Sequence, residues 1–282
     1  MTALRSARLA TAPLLHQIST VVVAVILTAS LAAACGGGSK SDDTEAKGTE
    51  LVGLFRLTAG AVNGDAITGT YFRMLQPGGN AKNGPYMVNG DSPADKGEAT
   101  LLAPGTSGGL RTGGYQSQPA PGFDGGGNSL SDAINAPVKW FGVNFSISTN
   151  RVDKQTKTEV PPPTVLVRDG KLTADVSSWA ASWNNQEFNQ GAPKPVLNTG
   201  AKAAGQEKAE RAWDWVAQKW LESAPKSTVS GKGATGTYDA ATKAFTLEWT
   251  SYIDGGPFNG FTGLWHLEGV FEPSGRAPSG QQ

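Results

Sequence analysis

From Lys243 to Ile253 the chain reads KAFTLEWTSYI, and its apolar residues keep to one parity. Phe245, Leu247, Trp249 and Ile253 alternate with Thr246, Glu248, Thr250 and Tyr252. Such alternation marks a strand with one face buried. DGGPFNG (254–260) follows as a turn, and FTGLWHLEGVF (261–271) alternates again, with Phe261, Trp265, Leu267 and Phe271 on one parity. Two such runs joined by a Gly/Pro connection predict an antiparallel hairpin. Burial predicts its register as well, because a slip of one residue would turn one apolar set outward. Ile253 opposite Phe261 keeps both sets on one face, with Trp249 against Trp265 and Leu247 against Leu267. On the other face the same register sets Glu248 against His266 and Thr246 against Glu268.

Further strands are predicted at 51–58, 67–75, 98–103, 138–147, 164–169 and 171–183. The tripeptide Thr-Gly-x before an aromatic recurs at 68–71, 235–238 and 262–265, where glycine would let a neighbour approach closely. One segment has a different period. In 203–224 Trp213, Val216, Ala217, Trp220 and Leu221 fall on one helical stripe, with Pro225 as the stop and Trp215 on the polar side. No βαβ alternation occurs, which argues against the two doubly wound lobes of a solute-binding protein. The predicted fold is mainly β: an antiparallel β-sandwich or partly closed barrel with one packed amphipathic helix at about 203–224. The 37 glycines and 17 prolines fit many short strands joined by turns.

The amino-terminal fifty residues follow another rule. Arg5 and Arg8 precede the uncharged run VVVAVILTASLAAA (21–34), which ends at Cys35, the only cysteine. The run has the length of a signal-peptide core and is short for a membrane span of about 20 residues. Ala32, Ala33, Ala34 and Cys35 resemble the lipobox of bacterial lipoproteins, with Ala32 where that family favours leucine and Leu31 one place earlier. The resemblance covers residues 1–40. It implies that Cys35 becomes the diacylated first residue of the mature chain, anchored in the cell membrane on its extracytoplasmic side. Two acyl chains hold stably where one anchors only marginally. GGGSKSDDTEAKGTE (36–50) then reads as a flexible tether. The expected organisation is a signal peptide (1–34), lipidated cysteine and tether (35–50), one β domain (51–273) and a disordered tail (274–282).

Charge narrows the partners. Removing 1–34 takes away two of the 24 basic residues and none of the 24 acidic ones, leaving 22 − 24 = −2. Without a basic excess, nucleic acid is not an expected partner. A single cysteine excludes a disulfide framework and a thiolate metal site. With His16 in the signal, His266 is the only mature imidazole, which excludes a site of two or three histidines. No metal site and no cofactor are expected. Asp124, Asn128 and Asp132 offer oxygen ligands, but not at the spacing of an EF-hand loop. GTSGG (105–109) matches G-x-S-x-G, yet no helical period follows Ser107 as a nucleophile elbow requires.

WNNQEFNQGAPKP (183–195) concentrates amides between aromatics. Trp179, Trp183, Asn184, Asn185, Glu187 and Asn189 are therefore the candidate ligand-binding residues: indole faces suit the C–H side of a sugar, and amides and carboxylates its hydroxyls. The competing reading is a polar loop whose amides satisfy its own backbone. Candidate catalytic residues are Glu187, with Asp175 or Asp254 as a second carboxylate about 5–9.5 Å away, and the pair His266 and Glu248. VRDGKLTADVSS (167–178) is similar to a strand of haem-binding domains on some actinobacterial surface proteins, over a dozen residues and with no haem ligands carried over. The expected function is non-enzymatic: a membrane-anchored envelope lipoprotein whose β domain binds a cell-wall or surface glycan. The alternatives are a glycan hydrolase using carboxylates and a structural lipoprotein that contacts another envelope protein through Trp215.

Overall fold

The computed structural model describes residues 48–64, 66–195, 213–214, 219–220, 233–254 and 257–274. The first strands are β1 (Thr49–Glu50), β2 (Gly53–Leu57), β3 (Ala61–Asn63), β4 (Ala66–Thr68), β5 (Tyr71–Asn80), β6 (Gly84–Tyr86), β7 (Thr100–Leu101) and β8 (Gly109–Arg111). The middle strands are β9 (Val138–Trp140), β10 (Val143–Thr149), β11 (Thr164–Arg168), β12 (Lys171–Asp175), β13 (Trp179–Trp183) and β14 (Gln186–Asn189). The last are β15 (Trp213–Asp214), β16 (Lys219–Trp220), β17 (Ala234–Tyr238), β18 (Ala244–Tyr252) and β19 (Thr262–Pro273).

The fold is mainly β. Eleven strands form one antiparallel sheet curled into a half-barrel: eight in the order β1-β11-β12-β17-β18-β19-β2-β8, and β5, with β6 and β7 paired to it, branching from β19. On its free side, β19 pairs with β5 through its first half and with β2 through its second. A four-stranded sheet, β14-β13-β10-β9, faces this one. The β18–β19 register is the one that burial demanded: Trp249 opposite Trp265, Leu247 opposite Leu267, Glu248 opposite His266. Ile253 donates its N–H to the Phe261 carbonyl at the closed end.

The inner faces meet in one core. Phe55, Phe245, Leu247, Leu267 and Trp265 of the large sheet are buried, as are Ile147 and Trp179 of the small one. The Trp179 ring stands edge-on to Trp249 and Trp265, with centroids 5.2 and 5.5 Å away, so three indoles join the layers. Glycine allows the tightest approaches. A Cβ on Gly236 would lie 1.8 Å from the Thr246 carbonyl oxygen, and one on Gly263 2.1 Å from Gln190 Oε1. Both belong to the Thr-Gly-x-aromatic tripeptides.

Four expectations need correction. The run 67–75 is two strands, β4 paired with β3 in a small two-stranded sheet and β5 in the large sheet. The run 171–183 is two strands: β12 ends in the large sheet, a turn follows in which Asp175 Oδ1 accepts the Ser177 N–H, and β13 opens in the small sheet. The run 138–147 is likewise broken by the Phe141–Gly142 turn. The predicted helix falls largely on undescribed residues, and its four described ones are not helical. Trp213 faces Trp220 and Asp214 faces Lys219 in a two-stranded ladder. A spacing of seven puts two tryptophans on one helical stripe, and it is equally the spacing of the paired positions 213 and 220 in this ladder. Aromatic side chains favour the strand.

A buried ion pair closes the end of the interface. Lys194 Nζ lies 3.1 Å from Asp254 Oδ2, donates to the Asn189 carbonyl at 3.0 Å and reaches the Tyr252 carbonyl. Burial holds the lysine below its ordinary pKa, against the pull of Asp254. Removing one partner of such a pair strands the other charge, at a cost of about 3–5 kcal/mol. Lys194→Met should lose stability on that scale in urea unfolding. The double substitution with Asp254→Leu should recover most of the loss, whereas a double variant as unstable as the single would contradict this account.

Candidate functional site

The amide-rich stretch folds into a hairpin, not a long loop. Asn184 and Asn185 are its two turn residues, with φ of 49° and 60°, between Trp183 and its partner Gln186. Positive φ at both central positions is the type I′ pattern, which asparagine tolerates. Both asparagines are exposed, while Trp183 and Gln186 on either side are half-buried. Trp179 is buried in the core. Trp183 donates its indole N–H to the Trp140 carbonyl at 2.8 Å. Asn189 accepts the Gly191 N–H, donates to the Ser177 carbonyl, and its own N–H goes to Gln155 Oε1. The six candidate ligand-binding residues therefore do not share one exposed surface.

Glu187 is wired in a similar way. Its side chain is only 5% exposed, and Oε2 lies 2.9 Å from Lys154 Nζ. Burial raises its carboxyl above the ordinary range, and Lys154 and Asn150 oppose that rise only in part. A carboxyl with a higher pKa folded than unfolded gives stability at acid pH, and that stability is lost as pH rises through the folded value. Asp175 is engaged by the Ser177 N–H, and Asp254 by Lys194.

The second predicted pair is in place. His266 Nδ1 lies 2.6 Å from Glu248 Oε1, and Nε2 lies 3.7 Å from Glu268 Oε2. These side chains stand on the outer face of the large sheet, because even-numbered residues of β18 and β19 point away from the core. On β5 the outward residues are Tyr71 and Arg73. The Tyr71 ring stacks on His266, with centroids 4.7 Å apart and planes 14° apart. Arg73 is held 2.8 Å from Asp95 Oδ2, with its guanidinium 4.7 Å above the Tyr86 ring. Together they line a cleft of about 830 Å³, with Lys82, Glu98 and Thr235 among its other walls.

Sequence reasoning named His266 and Glu248 but missed Tyr71, Arg73, Tyr86 and Asp95. The signal for Tyr71 and Arg73 was the parity of 71–74, in which they alternate with the buried Phe72 and Met74; no local pattern marks Tyr86 or Asp95. What brings that strand beside His266 is the long-range pairing of β5 with β19, which no local pattern encodes.

The remaining candidates are placed apart from this cleft. Ser107 lies in a turn closed by the Gly108 N–H on the Gly105 carbonyl, and a strand follows it. Asp124 accepts from Asn128 Nδ2 and from the Gly126 N–H, while Asp132 Oδ1 faces the Thr106 hydroxyl. Among the described residues no three His, Cys, Asp or Glu side chains cluster as metal ligands. Nor is any described helix long and apolar enough to cross a membrane. Cys35 and Trp215 lie outside the described residues. No protein-family model, curated protein or solved structure matches the chain.

Glu187→Gln removes a carboxyl but keeps its shape. The variant should lose less stability than the native chain between about pH 4 and about pH 7, because an amide does not titrate. Melting temperatures at the two pH values check this, and an unchanged pH slope would contradict the burial argument.

Proposed function

We propose that the chain is a lipid-anchored protein of the cell envelope whose β domain binds a neutral glycan in the outer-face cleft. The anchor is Cys35, on the lipobox resemblance of residues 32–35. The observation that carries the binding reading is the make-up of the cleft. Its volume of about 830 Å³ is within the usual range for ligand pockets, about 300–1,000 Å³. Tyr71, half-buried, supplies aromatic surface for the C–H face of a sugar ring, with Tyr86 buried behind Arg73. Thr235, Thr250 and Asn83 supply neutral donors and acceptors.

Charge decides between ligand classes. Arg73 and Lys82 are offset by Asp95, Glu98 and Glu248, so the cleft has no strong excess to attract an anion or a cation. A hydroxyl-rich neutral ligand fits such a mixture, and nucleic acid does not. The exposed amides at Asn184 and Asn185 belong to a separate hairpin tip. The glycan reading therefore rests on the cleft and not on the 183–190 stretch.

Calorimetric titration of the mature chain carrying Cys35→Ser with fragments of cell-wall and surface polysaccharide tests the proposal. A saturable heat is expected from at least one fragment, and Tyr71→Ala should weaken it about tenfold, the equivalent of about 1.4 kcal/mol. Asn184→Ala should leave it unchanged. Titrations without heat across the set, or heat insensitive to Tyr71→Ala, would contradict the reading.

A further inference from the structure

The two sheets do not fill the space between them at one end. A cavity of about 50 Å³ lies there, walled by Phe72, Trp140, Phe145, Trp183 and Phe258, and the surface it presents is apolar. Two hairpin turns mark this end. β9 turns into β10 through Phe141–Gly142, and β13 into β14 through Asn184–Asn185. The bond from the Trp183 indole to the Trp140 carbonyl ties the two turns together.

The turns solve one backbone problem with different residues. Both need positive φ at each central position, and Asn184–Asn185 uses a residue type that accepts it. At the matching place the other turn has Phe141, at φ 49° and 45% exposed. A bulky ring in the left-handed region is an outlier, and here it also forgoes burial. Asp91 Oδ2 accepts the Gly142 N–H at 2.7 Å and holds the tip in place. The Phe141 ring lies 5.7 Å from Trp140 and 5.9 Å from Phe258, both walls of the cavity. It thus extends the aromatic wall of the cavity out to solvent.

We propose that the cavity and its Phe141 rim form a second binding site, for the end of a linear alkyl chain. Gln190 also borders the cavity, but its amide is engaged by Asn189, Tyr252 and Trp265, and the exposed wall is apolar, so what enters must be apolar. A volume of about 50 Å³ is near a third of the roughly 150 Å³ that admits benzene, which excludes a ring and admits two or three carbons. The next methylenes lie along Phe258 and Phe141, and a polar head remains in water.

The test uses the mature chain carrying Cys35→Ser, n-alkanols from ethanol to hexanol, and fluorescence from the wall tryptophans. Affinity should rise about fourfold per methylene over the first carbons, the ratio for burying one CH₂. Ala181→Leu, which fills the cavity from its wall, should abolish the response. Phe141→Asn relieves the turn and keeps the cavity, so it should spare the short alcohols and flatten the gain for the longer ones. Sedimentation with phosphatidylcholine vesicles then identifies the source of the chain. Co-sedimentation lost in Phe141→Asn assigns it to bilayer acyl chains, and its absence beside alkanol binding assigns it to a free amphiphile. The proposal is overturned by a response that does not saturate, by one indifferent to both substitutions, or by benzyl alcohol binding as tightly as butanol.

Discussion

Two facing sheets with apolar inner surfaces attract each other without direction, and what fixes their alignment here is the backbone of Gln190 and Gly191. The Gln190 carbonyl accepts the Trp249 indole N–H at 2.8 Å, and the Gly191 carbonyl accepts the Ser251 hydroxyl at 2.9 Å. Gln190 Nε2 reaches the Tyr252 carbonyl, and Lys194 meets Asp254 a few residues on. The segment that leaves the small sheet is thereby bonded to the carboxyl-terminal end of β18 and the residues just after it. Buried hydrogen bonds are costly to leave unmade, so these bonds select one alignment among those that apolar contact alone would tolerate.

That wiring explains why the most suggestive stretch of the sequence was the hardest to read. Asparagine, glutamine and glutamate between tryptophans are the chemistry of a sugar site, and also the chemistry of an interior polar network. Composition cannot separate the two; only burial does. Asn189 and Glu187 are spent on Ser177, Gln155 and Lys154, leaving Asn184 and Asn185 at the tip. By contrast, the β18–β19 pair was legible to the residue. Its period of two and its one buried face exclude a slip of one residue, and the register with Ile253 opposite Phe261 also placed His266 beside Glu248. The helix expected at 203–224 failed where it can be judged because a spacing of seven fits a helical stripe and equally fits two residues paired across a ladder. The switch of sheets at 176–178 was hidden because both halves of that run read as strand.

Strand β19 connects the interior to the surface. Trp265 points inward to Trp179 and to the wall of the apolar cavity, and the next residue, His266, points outward to Tyr71 and Glu248. Alternation along one strand thus puts a dry aromatic pocket behind a polar cleft. On the edge away from β18 it pairs first with β5 and then with β2, which brings Tyr71 and Arg73 beside His266. The two concavities present different chemistry: charged and hydroxyl side chains line the outer one, aromatic carbon the inner one.

The central claim is that binding belongs to the outer cleft and that the 183–190 hairpin is structural. Backbone chemical-shift mapping of the mature chain carrying Cys35→Ser, with saturating cell-wall glycan fragments, tests it most directly. The account predicts shifts concentrated at 71–73, 248–250 and 264–266, with Asn184 and Asn185 unmoved. Shifts centred on 183–190, with the cleft silent, would contradict it.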